Sequence, residues 1–168
     1  MLVLGIDPGI AITGYGFIRT DDRNDYACID YGVITTKASL TDPERLKILF
    51  EGLTDLISLH CPDVSAVEKL FFQKNVKTAI SVGQARGVTL LTLAQAALPV
   101  FEYTPNEIKQ TVCGYGGAGK QQIQRMVQTL LHLEDLPKPD DAADALATAI
   151  CHIHHQSFND RLEQTGQS

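Results

Sequence analysis

Short apolar runs and alternating segments open the chain. The run Leu2–Ile6 is continuously apolar, which is typical of a buried central strand, and it ends at Asp7. After the turn signal Pro8-Gly9, alternation over 13–20 and 26–36 predicts two further strands. Three consecutive strands with short connections predict an antiparallel meander.

A helical pattern and a fourth strand follow the meander. Apolar residues recur at helical spacing up to His60, and Asp42 before a proline predicts the N-cap of this helix. Val64–Glu68 then predicts a strand, which a right-handed crossover would place parallel to the first strand. In that arrangement Asp7 and Glu68 end at the same edge of the sheet, where open α/β sheets bind ligands.

The rest of the chain alternates between helical segments and one more strand. We expect an α/β fold with a five-stranded mixed sheet, in which the meander is joined by parallel strands and flanked by helices. The expected helices span 75–97, 106–112, 120–132 and a last segment from 140, and the fifth strand spans 98–103. A single domain is predicted over 1–155, followed by a polar, disordered tail over 156–168.

Composition narrows the class of protein. A length of 168 residues with 44% hydrophobic and 20% charged residues is typical of one globular domain. No apolar run approaches the ~20 residues that span a bilayer, so we expect no membrane association. The four cysteines stand far apart without a CxxC pair, which argues against a structural zinc site and a disulfide framework. A cytoplasmic location is the simplest expectation.

The distribution of charge along the chain changes what the net charge implies about partners. A net charge of −6 argues against a nucleic-acid partner, yet residues 69–125 carry seven basic residues and only two acidic ones. Such a stretch can present a basic face to a polyanion, although clustering by chance on a solvated surface would give the same pattern. We expect Lys74, Lys77 and Arg86 in this stretch to contact nucleic acid.

Acidic residues mark the ends of three core elements. Asp7 and Glu68 end strands, and Asp141 and Asp144 share one face at the start of an apolar helix. Helix capping would explain one of the helical acids, but Asp144 lies among small apolar residues. Four carboxylates at one edge suit two Mg²⁺ ions per site, with Mn²⁺ as an expected substitute. Two such ions can activate a water molecule and stabilise the leaving oxygen of a phosphodiester.

Three other features are ambiguous. The glycine-rich stretch before Lys120 begins like a P-loop, but Gln121 replaces the required Ser or Thr, so we interpret it as a loop that brings Lys120 to a phosphate or as a plain connector. Phe71 and its neighbour Phe72 could stack on bases or fill the core. The cluster from His152 to His155 hints at metal binding, although solvated histidines fit a helix better.

The motifs together resemble one known family. Gly5-Ile6-Asp7-Pro8-Gly9 with Thr13-Gly14-Tyr15-Gly16, then Glu68, Gly83-Gln84-Ala85-Arg86-Gly87 and Asp141-Ala142-Ala143-Asp144-Ala145-Leu146, are similar to the RuvC family of crossover-junction endodeoxyribonucleases. The resemblance covers about residues 2–155. It implies a ribonuclease-H-like fold, a homodimer, and magnesium-dependent resolution of Holliday junctions by paired symmetric nicks during DNA recombination and repair.

The resemblance also assigns roles to residues. Catalysis and metal binding would fall on Asp7, Glu68, Asp141 and Asp144. Substrate binding would fall on Lys109 and Lys120, and base contact on Phe71. Four-way junction DNA and the RuvA–RuvB branch-migration complex are the implied partners.

Alternatives within and outside the fold remain. A YqgF-like nuclease shares the strand-ending aspartate and would act on RNA, but the segment 84–87 argues against it. Sugar kinases and actin-like ATPases share the first phosphate hairpin, but they need two such domains and a second phosphate loop. A catalytically dead junction-binding protein would not need the complete acid set.

Overall fold

The computed structural model describes residues 1–21, 25–69 and 76–165. These residues form one sheet with helices on both faces. The strands are β1 (Leu2–Asp7), β2 (Ile12–Thr20), β3 (Tyr26–Thr35), β4 (Val64–Glu68) and β5 (Val100–Tyr103). The helices are α1 (Asp42–His60), α2 (Val76–Gln95), α3 (Pro105–Cys113), α4 (Lys120–Leu130) and α5 (Asp140–Thr165). Within the described ranges, none of these helices combines the length and apolar character needed to cross a membrane.

The sheet has the strand order β3-β2-β1-β4-β5. β1 pairs antiparallel with β2 and parallel with β4, and β5 continues the parallel part. The expected meander and crossover are therefore confirmed. The backbone N–H of Leu2 donates to Oδ2 of Asp63 at 2.6 Å, which ties the start of β1 to the chain entering β4. Because the two strands run side by side in the same direction, Asp7 and Glu68 end at one edge.

One face of the sheet, which we call the α5 face, carries the strand residues that point toward α5. Its members include Val3, Gly5, Asp7, Gly14, Gly16, Ala66 and Glu68. A Cβ at Gly5 would overlap the carbonyl oxygen of Ala145, and a Cβ at Gly14 would overlap that of Asp141. The backbone of α5 therefore lies directly on β1 and β2, a close approach that only glycine permits. α3 and α4 pack against α5 through Ile108, Val112, Ile123 and Val127.

The opposite face, which we call the α1–α2 face, is filled by large side chains. Its buried members are Leu2, Leu4, Ile6, Phe17, Leu49, Leu53, Val67, Ala85, Leu93 and Leu98. Strand residues alternate between the two faces because successive side chains in a strand point to opposite sides. The continuous apolar run of β1 is thus explained by burial on both faces, as the sequence predicts.

Two helix starts differ from the sequence prediction. Thr41, not Asp42, is the N-cap of α1, and its backbone N–H donates to Oε2 of Glu44 at 2.8 Å. α3 begins at Pro105 after the same arrangement, in which Thr104 donates its backbone N–H to Glu107 at 2.7 Å. Both starts are capping boxes, in which a threonine and a glutamate three residues later satisfy free amides. A threonine followed three residues later by a glutamate therefore marks both helix starts.

The C-terminal helix is longer than predicted. The sequence predicts a disordered tail from residue 156, whereas α5 continues to Thr165. No proline or glycine interrupts the chain between 156 and Gly166, so nothing in the backbone chemistry ends the helix earlier. The prediction of a single domain over 1–155 stays a prediction.

Candidate functional site

The four predicted carboxylates lie at one place on the molecule. Asp7 and Glu68 end adjacent parallel strands, and their side chains share a hydrogen bond. Asp141 and Asp144 lie in the first two turns of α5, and all three partner acids act electrostatically on Asp7. The close packing of Gly14 against the backbone of Asp141 fixes where the helix begins relative to β1.

Asp7 is the centre of this cluster. Burial raises the pKa of Asp7 well above its usual range, and repulsion from Glu68, Asp144 and Asp141 raises it further. The hydrogen bond with Glu68 also raises the pKa of Asp7. A carboxylate in this position becomes ionised readily only when positive charge is brought to it.

The neighbouring carboxylates respond in the same direction. Burial raises the pKa of Asp144 to about 6, and Asp140 and Asp141 contribute to the rise. Burial also raises the pKa of Glu68, with repulsion from Asp144 adding to it. A group of acids whose pKa values rise together is characteristic of a functional site, because a structural role would not require such repulsion.

Two lysines lie beside the acids. Lys109 on α3 and Lys120 at the start of α4 both oppose the rise in the pKa of Glu68 and Asp144. Their positive charge therefore reaches the cluster from the side of the helices that cover α5. Nζ of Lys120 also lies 2.7 Å from Oδ2 of Asp140.

An open cleft reaches one of the acids, Asp141. It has a volume of about 470 Å³ and is lined by residues 9–12, Ser81, Val82 and Asp141. The cleft thus lies between the β1–β2 turn and the first part of α2. Its contact with Asp141 connects it to the carboxylate cluster.

The cluster fits a hard divalent cation by its chemistry. All four candidate ligands are carboxylates, the donors that Mg²⁺ prefers. Within the described ranges, no three acidic, histidine or cysteine side chains are arranged so that they could hold a metal ion together as they stand. Mutual repulsion opposes a closer arrangement, and binding of a cation would have to offset it. Burial raises the pKa of Asp7 first, and repulsion from Glu68, Asp144 and Asp141 adds to the rise.

The structure describes only some of the other residues that are predicted to contact DNA. Phe71 and Lys74 lie outside the described residues, and for Lys77 only the backbone, within α2, is described. The guanidinium of Arg86 forms an ion pair with Glu102 on β5. This pair joins α2 to the edge of the sheet, so Arg86 already has a partner within the chain. Its contact with DNA stays a prediction.

The histidine cluster has a structural environment. His152 is buried, and its Nδ1 lies 2.9 Å from the hydroxyl of Tyr103. The ring of His152 packs on Phe101 with 4.4 Å between centroids, and His155 lies 5.2 Å from the ring of Tyr103. The expectation of solvated histidines is therefore wrong for His152, because α5 turns that residue toward β5.

Two features of the site are not predicted from the sequence. One is the ion pair between Lys120 and Asp140. The other is the close packing of Gly14 and Gly16 on α5. Glycines two residues apart within a strand lie on one face and indicate close approach of another backbone. The sequence therefore contains a signal for this close packing.

Comparison with known proteins identifies the family. Residues 3–152 match the family model described as crossover junction endodeoxyribonuclease RuvC. The RuvC of Pelotomaculum thermopropionicum is 52% identical over 97% of this chain and 99% of its own length. That of Halothermothrix orenii is 57% identical over 95% of this chain and 96% of its own.

A solved structure gives the same result in three dimensions. RuvC of T. thermophilus in complex with a Holliday junction substrate superposes with a TM-score of 0.89 at 31% identity, covering 95% of this chain and 96% of that one. The expected ribonuclease-H-like architecture is thereby confirmed. On the family match, the near-complete coverage of both chains and the shared fold, this chain belongs to the RuvC family of crossover junction endodeoxyribonucleases.

Proposed function

We propose that the protein resolves Holliday junctions by paired symmetric nicks during DNA recombination and repair. The observation that carries this proposal is the meeting of Asp7, Glu68, Asp141 and Asp144 at one edge of the sheet, with Lys109 and Lys120 beside them. Acids alone would repel a phosphodiester, and lysines alone would only bind it. Their combination at an open cleft suits hydrolysis of a nucleic-acid backbone, and membership of the family narrows the substrate to a DNA junction.

The carboxylates would act by holding divalent cations. Asp7, on which the other three acids act, would hold Mg²⁺ together with Glu68, Asp141 and Asp144. When bound, the cations would supply an activated water molecule and stabilise charge on the leaving oxygen. Positive charge at the cluster would favour the ionised form of Asp7, because it would offset the burial and the repulsion that raise the pKa of this carboxyl.

The lysines would hold the substrate. Lys109 and Lys120 approach the cluster from α3 and α4, so a phosphate between them and the acids would contact both kinds of group. Their charges would offset those of the phosphates and would make binding sensitive to salt. Phe71, which follows β4 in the sequence, would contact a base near the junction.

Paired nicks need two active sites, so we propose a homodimer. The exposed side of α2 supports this: Ile80 is 58% exposed and Leu91 is 55% exposed. Within the described part of the chain, no atom lies within 4 Å of a Cβ built at Gly83 or Gly87. A smooth, partly apolar helix face of this kind suits a second copy of the chain.

The proposed setting is the cytoplasm, in cooperation with the RuvA–RuvB branch-migration complex. All four cysteines are free, which suits a reducing compartment.

The test is a comparison of substrates. The purified protein is incubated with a synthetic four-way junction, a linear duplex of the same sequence and an RNA, each with Mg²⁺, with Mn²⁺ and with EDTA. We expect metal-dependent nicks at symmetric positions in two strands of the junction and little cleavage of the other substrates. Preferred cleavage of RNA would favour the YqgF-like function instead. Cleavage in EDTA would remove the metal proposal.

A further inference from the structure

An ion pair joins the first residues of two helices beside the active site. Lys120 begins α4 and Asp140 begins α5, and Nζ of Lys120 lies 2.7 Å from Oδ2 of Asp140. Both side chains are open to solvent, with 70% of Lys120 and 42% of Asp140 exposed. Asp140 stands directly before Asp141, so the pair lies at the rim of the carboxylate cluster.

The ammonium of Lys120 faces that cluster. It opposes the rise in the pKa of Glu68 and of Asp144, so its charge is close to both. Asp140 differs from these acids because its pKa is lowered, first by its hydrogen bond with Lys120. Asp140 is thus engaged with the lysine, whereas the predicted metal ligands are engaged with one another.

Lys120 needs such a restraint. Its side chain has four rotatable bonds, and ordering it costs conformational entropy. The side chain itself is 70% exposed, so packing against the protein does little to order it. An ammonium has three donors and Asp140 accepts from one of them, which leaves two for a phosphate.

We propose that Asp140 is a positioning residue that holds the ammonium of Lys120 at the rim of the active site, ready to meet the substrate phosphate. This inference rests on the proposed function, because it requires that Lys120 contact the substrate. Asp140 neither binds the metal nor touches the reacting atoms. Its effect on cleavage passes through Lys120.

The opposite role would also use this ion pair. Asp140 could compete with the phosphate for Lys120, in which case the pair would have to open before the substrate binds. The two roles predict opposite effects when the carboxylate of Asp140 is removed. Loss of positioning slows cleavage of bound substrate, whereas loss of competition tightens binding or speeds cleavage.

The test is a double-mutant cycle with Asp140→Asn and Lys120→Gln. Single-turnover cleavage of a saturating synthetic four-way junction is measured in Mg²⁺, and junction affinity is measured separately in Ca²⁺. We expect Asp140→Asn to slow cleavage by about two- to fivefold, the size of effect that an exposed ion pair can exert, without weakening affinity. In the Lys120→Gln background the same substitution should change the rate by less than about 1.5-fold, because the coupling is lost.

Two further variants serve as controls for the cycle. Asp135→Asn removes an exposed acidic charge from the segment between α4 and α5, from a residue that forms no ion pair within the described ranges, and should leave the rate unchanged. Asp140→Glu keeps the carboxylate and should restore most of the rate. An equal loss in both lysine backgrounds, a faster rate or tighter binding for Asp140→Asn would each overturn the positioning role.

A readout on the free protein separates this inference from the proposed function. In the ¹H–¹⁵N spectrum of lysine ammonium groups, recorded at a pH and temperature at which exposed ammonium protons remain visible, Asp140→Asn should shift the signal of Lys120 much more than those of the other lysines. A Lys120 signal that does not move would overturn the ion pair even if junctions are cleaved. A protein that shows the shift but cleaves no junction would overturn the proposed function, and with it the role in cleavage, while the ion pair itself stands.

Discussion

The two faces of the sheet are built in different ways. On the α1–α2 face, Leu4, Ile6 and Phe17 interlock with Leu49 and Leu53, and their large side chains separate the helices from the sheet. On the α5 face the strands present glycines, and the backbone of the helix lies directly on them. Both faces bury apolar side chains. Only the α5 face also gives up side-chain volume, at Gly5, Gly14 and Gly16, where the helix that carries Asp141 and Asp144 meets the strands.

This difference separates stability from function. A fully buried leucine contributes about 1.5–3 kcal/mol through the hydrophobic effect, and the α1–α2 face carries several. The acids of the α5 face do the reverse at neutral pH, because their raised pKa values show that ionisation of Asp7 and Asp144 is unfavourable in the folded protein. We therefore expect substitutions on the α1–α2 face to change mainly the stability and substitutions of the acids on the α5 face to change mainly the rate of cleavage.

The largest effect is expected for Asp7→Asn on the α5 face. Cleavage should fall by about three orders of magnitude or more, because the central carboxylate is lost. The melting temperature measured without divalent metal should rise, because burial, together with repulsion from the neighbouring acids, makes ionisation of Asp7 unfavourable in the folded protein and asparagine carries no such cost. Nicking of a four-way junction and thermal melting check both parts. If the purified variant retained nicking, Asp7 could not be the central ligand.

The matching change on the α1–α2 face is Leu53→Ala. Leu53 is fully buried, so the substitution should lower the free energy of unfolding by about 2–5 kcal/mol, as measured by urea denaturation. The rate of cleavage per folded molecule should stay within about twofold, because Leu53 lies across the sheet from the acids. A large loss of specific activity at low temperature would show that the faces are not independent.

A methyl group at Gly14 should affect both properties. Gly14→Ala would force the added Cβ against the carbonyl of Asp141, so we expect a loss of about 1–3 kcal/mol in unfolding free energy together with slower cleavage. Gly117→Ala is the matched control, because its Cβ would make ordinary contacts of 3.5 Å with Tyr115. If Gly14→Ala matched the control in both assays, α5 would not depend on close approach for its position.

The smallest effect concerns pH and metal. The pKa of Asp144 is raised from 3.8 to about 6, so the folded protein keeps this proton at pH values where the unfolded chain has lost it. The associated stability is present below pH 3.8 and is lost as pH rises to about 6, with a change of about 1–2 kcal/mol after solvent screening.

Millimolar Mg²⁺ should restore stability at pH 7.5, because it binds the ionised carboxylates of the folded protein. Melting curves at pH 4, 6 and 7.5, with Mg²⁺ and with EDTA, check this. A Mg²⁺ effect that persisted unchanged in Asp7→Asn would place the cation elsewhere.

The sequence predicts the α1–α2 face and the acid positions well, and the reason is physical. Asp7 and Glu68 each end an apolar strand, which is a local pattern in the sequence. Once the two strands are known to run parallel, both acids must lie at one edge of the sheet. Asp141 and Asp144 follow from helical spacing. These features depend on residues that are near one another in the chain or on a single crossover.

Contacts between distant side chains were not predictable in the same way. The pairing of Arg86 with Glu102 depends on how α2 lies on the edge of the sheet, and that of Lys120 with Asp140 depends on the distance between two helix starts. Burial of His152 depends on which side of α5 meets β5. Each of these is set by tertiary packing, which periodicity alone does not encode.

The position of β1 has a consequence for slow motions of the site. β1 is the middle strand of the sheet and has a buried cluster on each face, so its amides are shielded from solvent. We expect these amides to exchange with deuterium far more slowly than those of the edge strand β5. Asp7 would then keep its place during local openings at the edges of the sheet.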